Sequence, residues 1–230
     1  MRVAALYDVH GNLPALDAVL ADVPSDAVIV VGGDVAAGPF PAETVDRLRA
    51  LDNRVLWVRG NADRELAPGE SGLAPTAVLD WVRGRLGAER IEFLHALPPA
   101  VTLEVDGIGR VLFVHATPRN DLDIFTERTP EAQIAPCFAG VDAGLVVCGH
   151  THVQFERQIA GVRVVNAGSV GMAYEDEPGA YWTLLGPAIE AQRTPFEPAE
   201  SEYPEEWPSA TRDEAISYFE TVAVGTAKKR

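Results

Sequence analysis

RVAALYDVHGNLPALDAVLADVPSDAVIVVGGDVAAGPFPAETVDRLRALDNRVLWVRGNAD, residues 2–63, is the stretch whose reading decides the fold class. Three short β-rich runs, RVAALY (2–7), AVIVV (27–31) and RVLWV (54–58), alternate with two segments of helical period. In the first of these, Leu13, Leu16, Val19 and Leu20 share one face, and Pro14 sits where a first helical turn tolerates it. In the second, Pro41 opens a helix carrying Val45, Leu48 and Leu51. The order β-α-β-α-β predicts a mainly parallel sheet covered by helices.

Working outward, helices are expected over 76–86 and 89–96. VTLEV (101–105) and RVLFV (110–114) flank DGIG and read as a β-hairpin. A helix near 130–138 and the strand GLVVC (144–148) follow. A second hairpin joins FERQI (155–159) to VRVV (162–165) across Ala160 and Gly161, and YWTLL (181–185) and 189–195 are the last strands. The second half therefore reads as mostly antiparallel β. Past Pro195 the chain turns acidic and proline-rich, and residues 211–214 (TRDE) match a capping box. The apolar stripe Ala215, Ile216, Phe219 and Val222 predicts a helix that docks back on the domain or pairs with a second copy in a homo-oligomer. A single domain over 1–230, with 198–230 as an extension, is the expected organisation.

The chain has 230 residues, 47% hydrophobic and 23% charged, a globular composition. No apolar run approaches the roughly 20 residues that span a bilayer. The opening apolar stretch is broken by Asp8 and His10, which reads as a buried first strand of a soluble cytoplasmic protein rather than a signal peptide. Two cysteines, Cys137 and Cys148, form neither a disulfide framework nor a zinc ribbon, and Cys148 within LVVC reads as a small buried hydrophobe. A net charge of −15, with Lys228 and Lys229 the only lysines, excludes a grip on extended nucleic acid. It does not exclude a small phosphorylated substrate, provided bound cations make one pocket locally positive.

The polar residues supply that pocket. Asp8 and His10 follow the first strand, Asp34 the second and Asn61 the third. His115 follows RVLFV, and His150 and His152 follow GLVVC. Ligands of such sheets gather outside the carboxyl ends of strands, so these segments deliver carboxylate, imidazole and amide to one edge. Of five histidines only His95, inside a helical segment, stands apart as an ordinary packing or surface residue. Imidazole and carboxylate without thiolate suit Mn, Fe, Zn or Co. Two such ions about 3.5–4 Å apart clamp a phosphate for in-line attack, and Asp34 is the natural carboxylate to bridge them.

The motifs D-V-H-G-N (8–12), G-G-D (32–34), G-N-A-D (60–63), H-A-T-P (115–118) and G-H-T-H (149–152) stand in that order. Together the set resembles the calcineurin-like metallophosphoesterase superfamily, in particular its small prokaryotic phosphodiesterase branch. N-A-G-S (166–169) is similar to that branch's Asn-Pro-Gly-Ser, and the resemblance covers roughly residues 2–197. It implies an α/β (α+β) fold: a four-layer sandwich of two mixed β-sheets flanked by helices. It implies Asp8, His10 and His152 on one metal, Asn61, His115 and His150 on another, and Asp34 bridging both. Two divalent ions are implied, manganese first, with Fe, Zn, Ni or Co as alternatives, and a bridging hydroxide would attack phosphodiester or nucleotide phosphate bonds. Asp34, Asn61 and His115 are the expected catalytic residues. Asn12, Arg64, Arg119 and Ser169 lie beside the motifs as candidates for substrate contact, with structural roles equally open. One departure stands out. Many members carry histidine after the asparagine of the third motif, where it assists the leaving group; here the residue is Ala62. A protein phosphatase, a dinucleoside-polyphosphate hydrolase and a non-catalytic metal-containing binding protein are the alternatives.

Overall fold

The structure, a computed structural model, describes residues 1–70, 72–73, 75–203 and 210–224. Its first half runs β1 (Val3–Leu6), α1 (Leu13–Asp22), β2 (Val28–Val31), α2 (Pro41–Arg49), β3 (Val55–Trp57), α3 (Asn61–Glu65), α4 (Thr76–Leu86) and α5 (Ala88–His95). Then come β4 (Ala100–Val105), β5 (Gly109–Val114), α6 (Glu131–Ile134), β6 (Leu145–Cys148), β7 (Phe155–Ile159), β8 (Val162–Asn166), β9 (Ala180–Leu185), β10 (Ile189–Thr194) and α7 (Arg212–Val222). The elements read from the sequence are present, most with ends shifted by a residue or two; the helix near 130–138 is α-helical over Glu131–Ile134 and continues as a 3-10 turn over Ala135–Phe138.

Two five-stranded mixed sheets result, in the orders β10-β9-β1-β2-β3 and β4-β5-β6-β8-β7. In the first, β1, β2 and β3 are parallel, with Val3 opposite Val28 and Leu6 opposite Val31. β9 and β10 do not stay with the second half: β9 pairs antiparallel with β1, and β10 with β9. All six residues of β9 are buried, which an interior strand requires.

Four of the six pairings made by the second-half strands are antiparallel, as expected, but the interior of the second sheet is parallel. β5, β6 and β8 are parallel, and only the edge strands β4 and β7 run against them. A parallel return needs a crossover of a dozen residues or more. The long connection from β5 to β6, which carries α6, provides one.

Alternation along β1 builds the layers. Val3, Ala5 and Tyr7 face the other sheet, where they meet Phe113 and Val147, while Ala4 and Leu6 lie in the core with Leu16 and Leu48 of the helices. Phe125, Ile134 and Phe138 cover the outer face of the second sheet. The Tyr7 hydroxyl donates to Val147 O at 3.0 Å and ties the sheets together beside Asp8.

The extension docks on its own chain: Ala215 and Ile216 of α7 are buried with Val153. Residues 204–209 and 225–230, with Lys228 and Lys229, lie outside the described residues. Among the described residues, no helix is long and apolar enough to cross a membrane.

Candidate metal centre

The loops after β1, β2, β3, β5 and β6 converge. Asp8, His10 and His152 form one group of potential ligands and Asp34, His115 and His150 a second. Asn61, the first residue of α3, places Oδ1 3.1 Å from His115 Nε2. Asp34 lies between the groups: its Oδ2 is 3.5 Å from His115 Nε2 and 3.9 Å from His10 Nε2. That is the position a shared carboxylate needs. His95, at the end of α5, is not among them.

The backbone is bent to achieve this. Asp8, His10, Asp34, His150 and His152 all have left-handed φ values, between 47° and 70°. Such φ values are uncommon for residues with a Cβ and concentrate where function holds strain in place. Gly149 shows how tightly the loops mesh, since a Cβ there would lie 2.3 Å from Asp8 Oδ2. His150 N donates to that same oxygen at 2.8 Å.

The hydrogen bonds around the cluster leave ligand atoms facing a common space. His10 Nδ1 donates to Ala37 O, His152 Nδ1 to Met172 O and His115 Nδ1 to Gly32 O. Each such bond fixes the tautomer and leaves Nε2 as a bare acceptor in the neutral ring. His10 Nε2 and His152 Nε2 then face each other at 3.2 Å with no proton between them. Asn61 Nδ2 donates to buried Glu65, which turns Oδ1 toward His115. Asp8 Oδ1 and His150 Nε2 are buried without hydrogen-bond partners. A cluster of converging lone pairs with an orphaned carboxylate oxygen is stable only around positive charge. The donor set fits two divalent ions.

The electrostatics differ among the imidazoles: burial acts to lower His115, but Asp34, Asp8 and Asp63 outweigh it and raise His115. Burial, reinforced by His152, pushes His10 down to about 3, and burial with His115 does the same to His150, so both imidazoles are neutral as ligands must be. Burial, with Asp8 and Asp63 nearby, raises Asp34 to about 7. Burial also acts to raise Asp8, but the facing His152 outweighs it and holds the carboxyl below its usual range.

Two supporting residues carry no expectation from the sequence. Asp63 accepts from Asp34 N, Val35 N and Gly60 N and so fixes the Asp34 loop; Glu65 orients Asn61. Asp63 is the last letter of G-N-A-D, which was the available signal. Asn166, the first residue of N-A-G-S, likewise ties Gly149 O to Thr151 and braces the G-H-T-H turn.

The four candidate substrate contacts are occupied elsewhere. Asn12 caps α1 and donates to Gly171 O. Ser169 donates to Asp8 O and accepts from Met172 N. Arg64 pairs with Asp121 and Glu70, and Arg119 with Asp123. None of the four lines the cavity of about 420 Å³ above the cluster. Its floor is His10, Asp34, Asn61, His150 and His152, Ala62 sits beside them, and its walls include Tyr174, Tyr203, Tyr218 and Phe219.

Comparisons with known proteins identify the family. The calcineurin-like phosphoesterase superfamily domain matches residues 1–185. The chain is 29% identical over 198 residues to the protein MJ0912 of Methanocaldococcus jannaschii, covering 83% of this chain and 76% of that one. It is 32% identical over 130 residues to the symmetrical bis(5'-nucleosyl)-tetraphosphatase of Klebsiella pneumoniae, covering 54% of this chain; the alignment spans 46% of that enzyme's length. Among solved structures, the metallophosphoesterase from Sphaerobacter thermophilus superposes with a TM-score of 0.68 at 28% identity, covering 86% of this chain and 89% of that one.

Proposed function

We propose that this chain, which belongs to the calcineurin-like phosphoesterase superfamily, is a dinuclear metal-dependent hydrolase of phosphodiester or nucleotide phosphate bonds in small substrates. The observation that carries the reading is Asp34 Oδ2, placed between two groups of converging carboxylate and imidazole ligand atoms. Asp8, His10 and His152 would hold one cation and Asn61, His115 and His150 the other, with Asp34 shared. When bound, the cations supply Lewis-acid polarisation of a phosphoryl oxygen and water activated near neutral pH.

The chain's own residues do the rest. Asp63 holds the Asp34 loop through three backbone amides, and Glu65 keeps the Asn61 oxygen aimed at the centre. Apolar and aromatic walls, Tyr174 and Phe219 among them, flank the polar floor. Ala62 offers no proton to a departing oxygen, so esters whose leaving group needs little protonation, such as aryl diesters, are the favoured substrates. Ala62 also favours a second reading, a binding protein that keeps its metals without turnover.

The test is chelation followed by metal return, with an aryl phosphodiester as substrate. Activity should vanish on chelation and return with Mn²⁺ better than with Mg²⁺, because nitrogen ligands suit the former. Equal rescue by Mg²⁺ would contradict the mixed nitrogen and oxygen site. Metal bound without turnover would favour the binding protein.

A further inference from the structure

We infer that α7 completes the specificity wall of this pocket and that it selects a planar ring, without further negative charge, carried on a singly phosphorylated ester. This rests on the phosphoesterase reading of the metal centre. It goes beyond it, because the family match ends at residue 185 and α7 begins at Arg212.

The wall is aromatic and continuous with the metal centre. The Tyr174 ring stacks on the His152 imidazole at 5.2 Å between centroids and 16° between planes. Phe219 of α7 follows at 6.2 Å from Tyr174, and Tyr218 at 5.6 Å from Phe219. Tyr218 is 64% exposed although it lines the cavity, and Leu73 and Val222 expose apolar surface on the same rim. Large apolar side chains left open around a concave polar floor mark a ligand's apolar portion.

The wall is also built to stay in place. Thr211 and Glu214 form the capping box that starts α7. Arg212 donates to Glu175 and Glu127, each at 2.8 Å, and to Gln154 O at 2.7 Å. Near the far end, Thr126 Oγ1 donates to Glu220 at 2.7 Å, and Val224 N donates to Ile124 O at 3.0 Å. Both ends of the helix are thus tied to the core on which the pocket rests.

Charge limits what the ring may carry. Among the described residues lining the cavity, none is Arg or Lys, and the whole chain carries −15. Bound cations would neutralise one phosphoryl group, but further phosphates would meet no positive side chain there. A cavity of about 420 Å³ matches one nucleoside or aryl group. Stacking on tyrosine and phenylalanine is tolerant of which base or ring is offered.

The experiment is calorimetric binding to the metal-loaded full chain, with thymidine 5'-monophosphate, phenyl phosphate, methyl phosphate, n-octyl phosphate and adenosine triphosphate. The two ring-bearing monophosphates should bind at least about tenfold tighter than methyl phosphate, and the triphosphate no tighter than thymidine monophosphate. Tyr218→Ala, an exposed change, should shrink that preference, and Tyr218→Ala with Phe219→Ala should abolish it while methyl phosphate affinity and metal content stay unchanged. Equal affinity for all monophosphates, tightest binding of octyl phosphate or triphosphate, or a preference that survives in the double variant would overturn the inference. A ring preference in a protein that hydrolyses no ester would instead sink the phosphoesterase reading and leave the wall standing.

Discussion

Asp34 must satisfy two demands that compete for one carboxyl. Its Oδ1 accepts from Ala62 N at 2.8 Å, which fixes the start of α3, while Oδ2 faces His115 and His10. Asp34→Asn keeps the shape and removes the charge, so the folded chain should persist with fewer bound metals. Activity should fall by at least about a hundredfold, since even residues behind the ligands commonly cost ten- to a hundredfold. Elemental analysis and circular dichroism check this, with His95→Ala expected to keep near-normal activity. Two metals at unchanged affinity in Asp34→Asn would remove the bridging role. At this scale the clustering of the candidate ligands was legible because polar residues at the ends of apolar strands have few other reasons to be there. Asp63 and Glu65 were not, because they act through backbone amides and an amide side chain and look in sequence like ordinary helix-start acids.

At the scale of elements, the capping box announced α7, but nothing local announced where it would dock. Its anchors Glu127, Gln154 and Glu175 come from distant loops, so only the folded chain brings them to Arg212. Burial alone would lower the Arg212 guanidinium, yet Glu175 and Glu127 outweigh it and hold it more firmly charged. Arg212→Ala should therefore loosen the wall: amide exchange in α7 should quicken about tenfold, as expected when charge-assisted hydrogen bonds are lost. Exchange in β1 and β6 should stay slow. Unchanged protection in α7 would show that Ala215 and Ile216 alone hold the helix. The placement of β9 and β10 escaped sequence reading for a related reason. Hydrophobic period identifies a strand, but not which of two sheets has an open edge for it.

For the whole molecule, the centre is where the two sheets meet. Asp8, His10, Asp34 and Asn61 come from the loops of the first sheet, and His115, His150 and His152 from those of the second. Neither sheet alone completes a ligand group, which is why the first three strands fixed the fold class while the site needed both halves of the chain. The sandwich brings His10 Nε2 of one sheet within 3.2 Å of His152 Nε2 of the other, so a cation held there would be shared across the interface. The most direct measurement is anomalous scattering at the manganese edge from crystals grown with Mn²⁺. The account predicts two peaks about 3.5–4 Å apart, one among Asp8, His10 and His152, the other among Asn61, His115 and His150, with Asp34 touching both. A single peak, or none at this cluster under saturating metal, would contradict it.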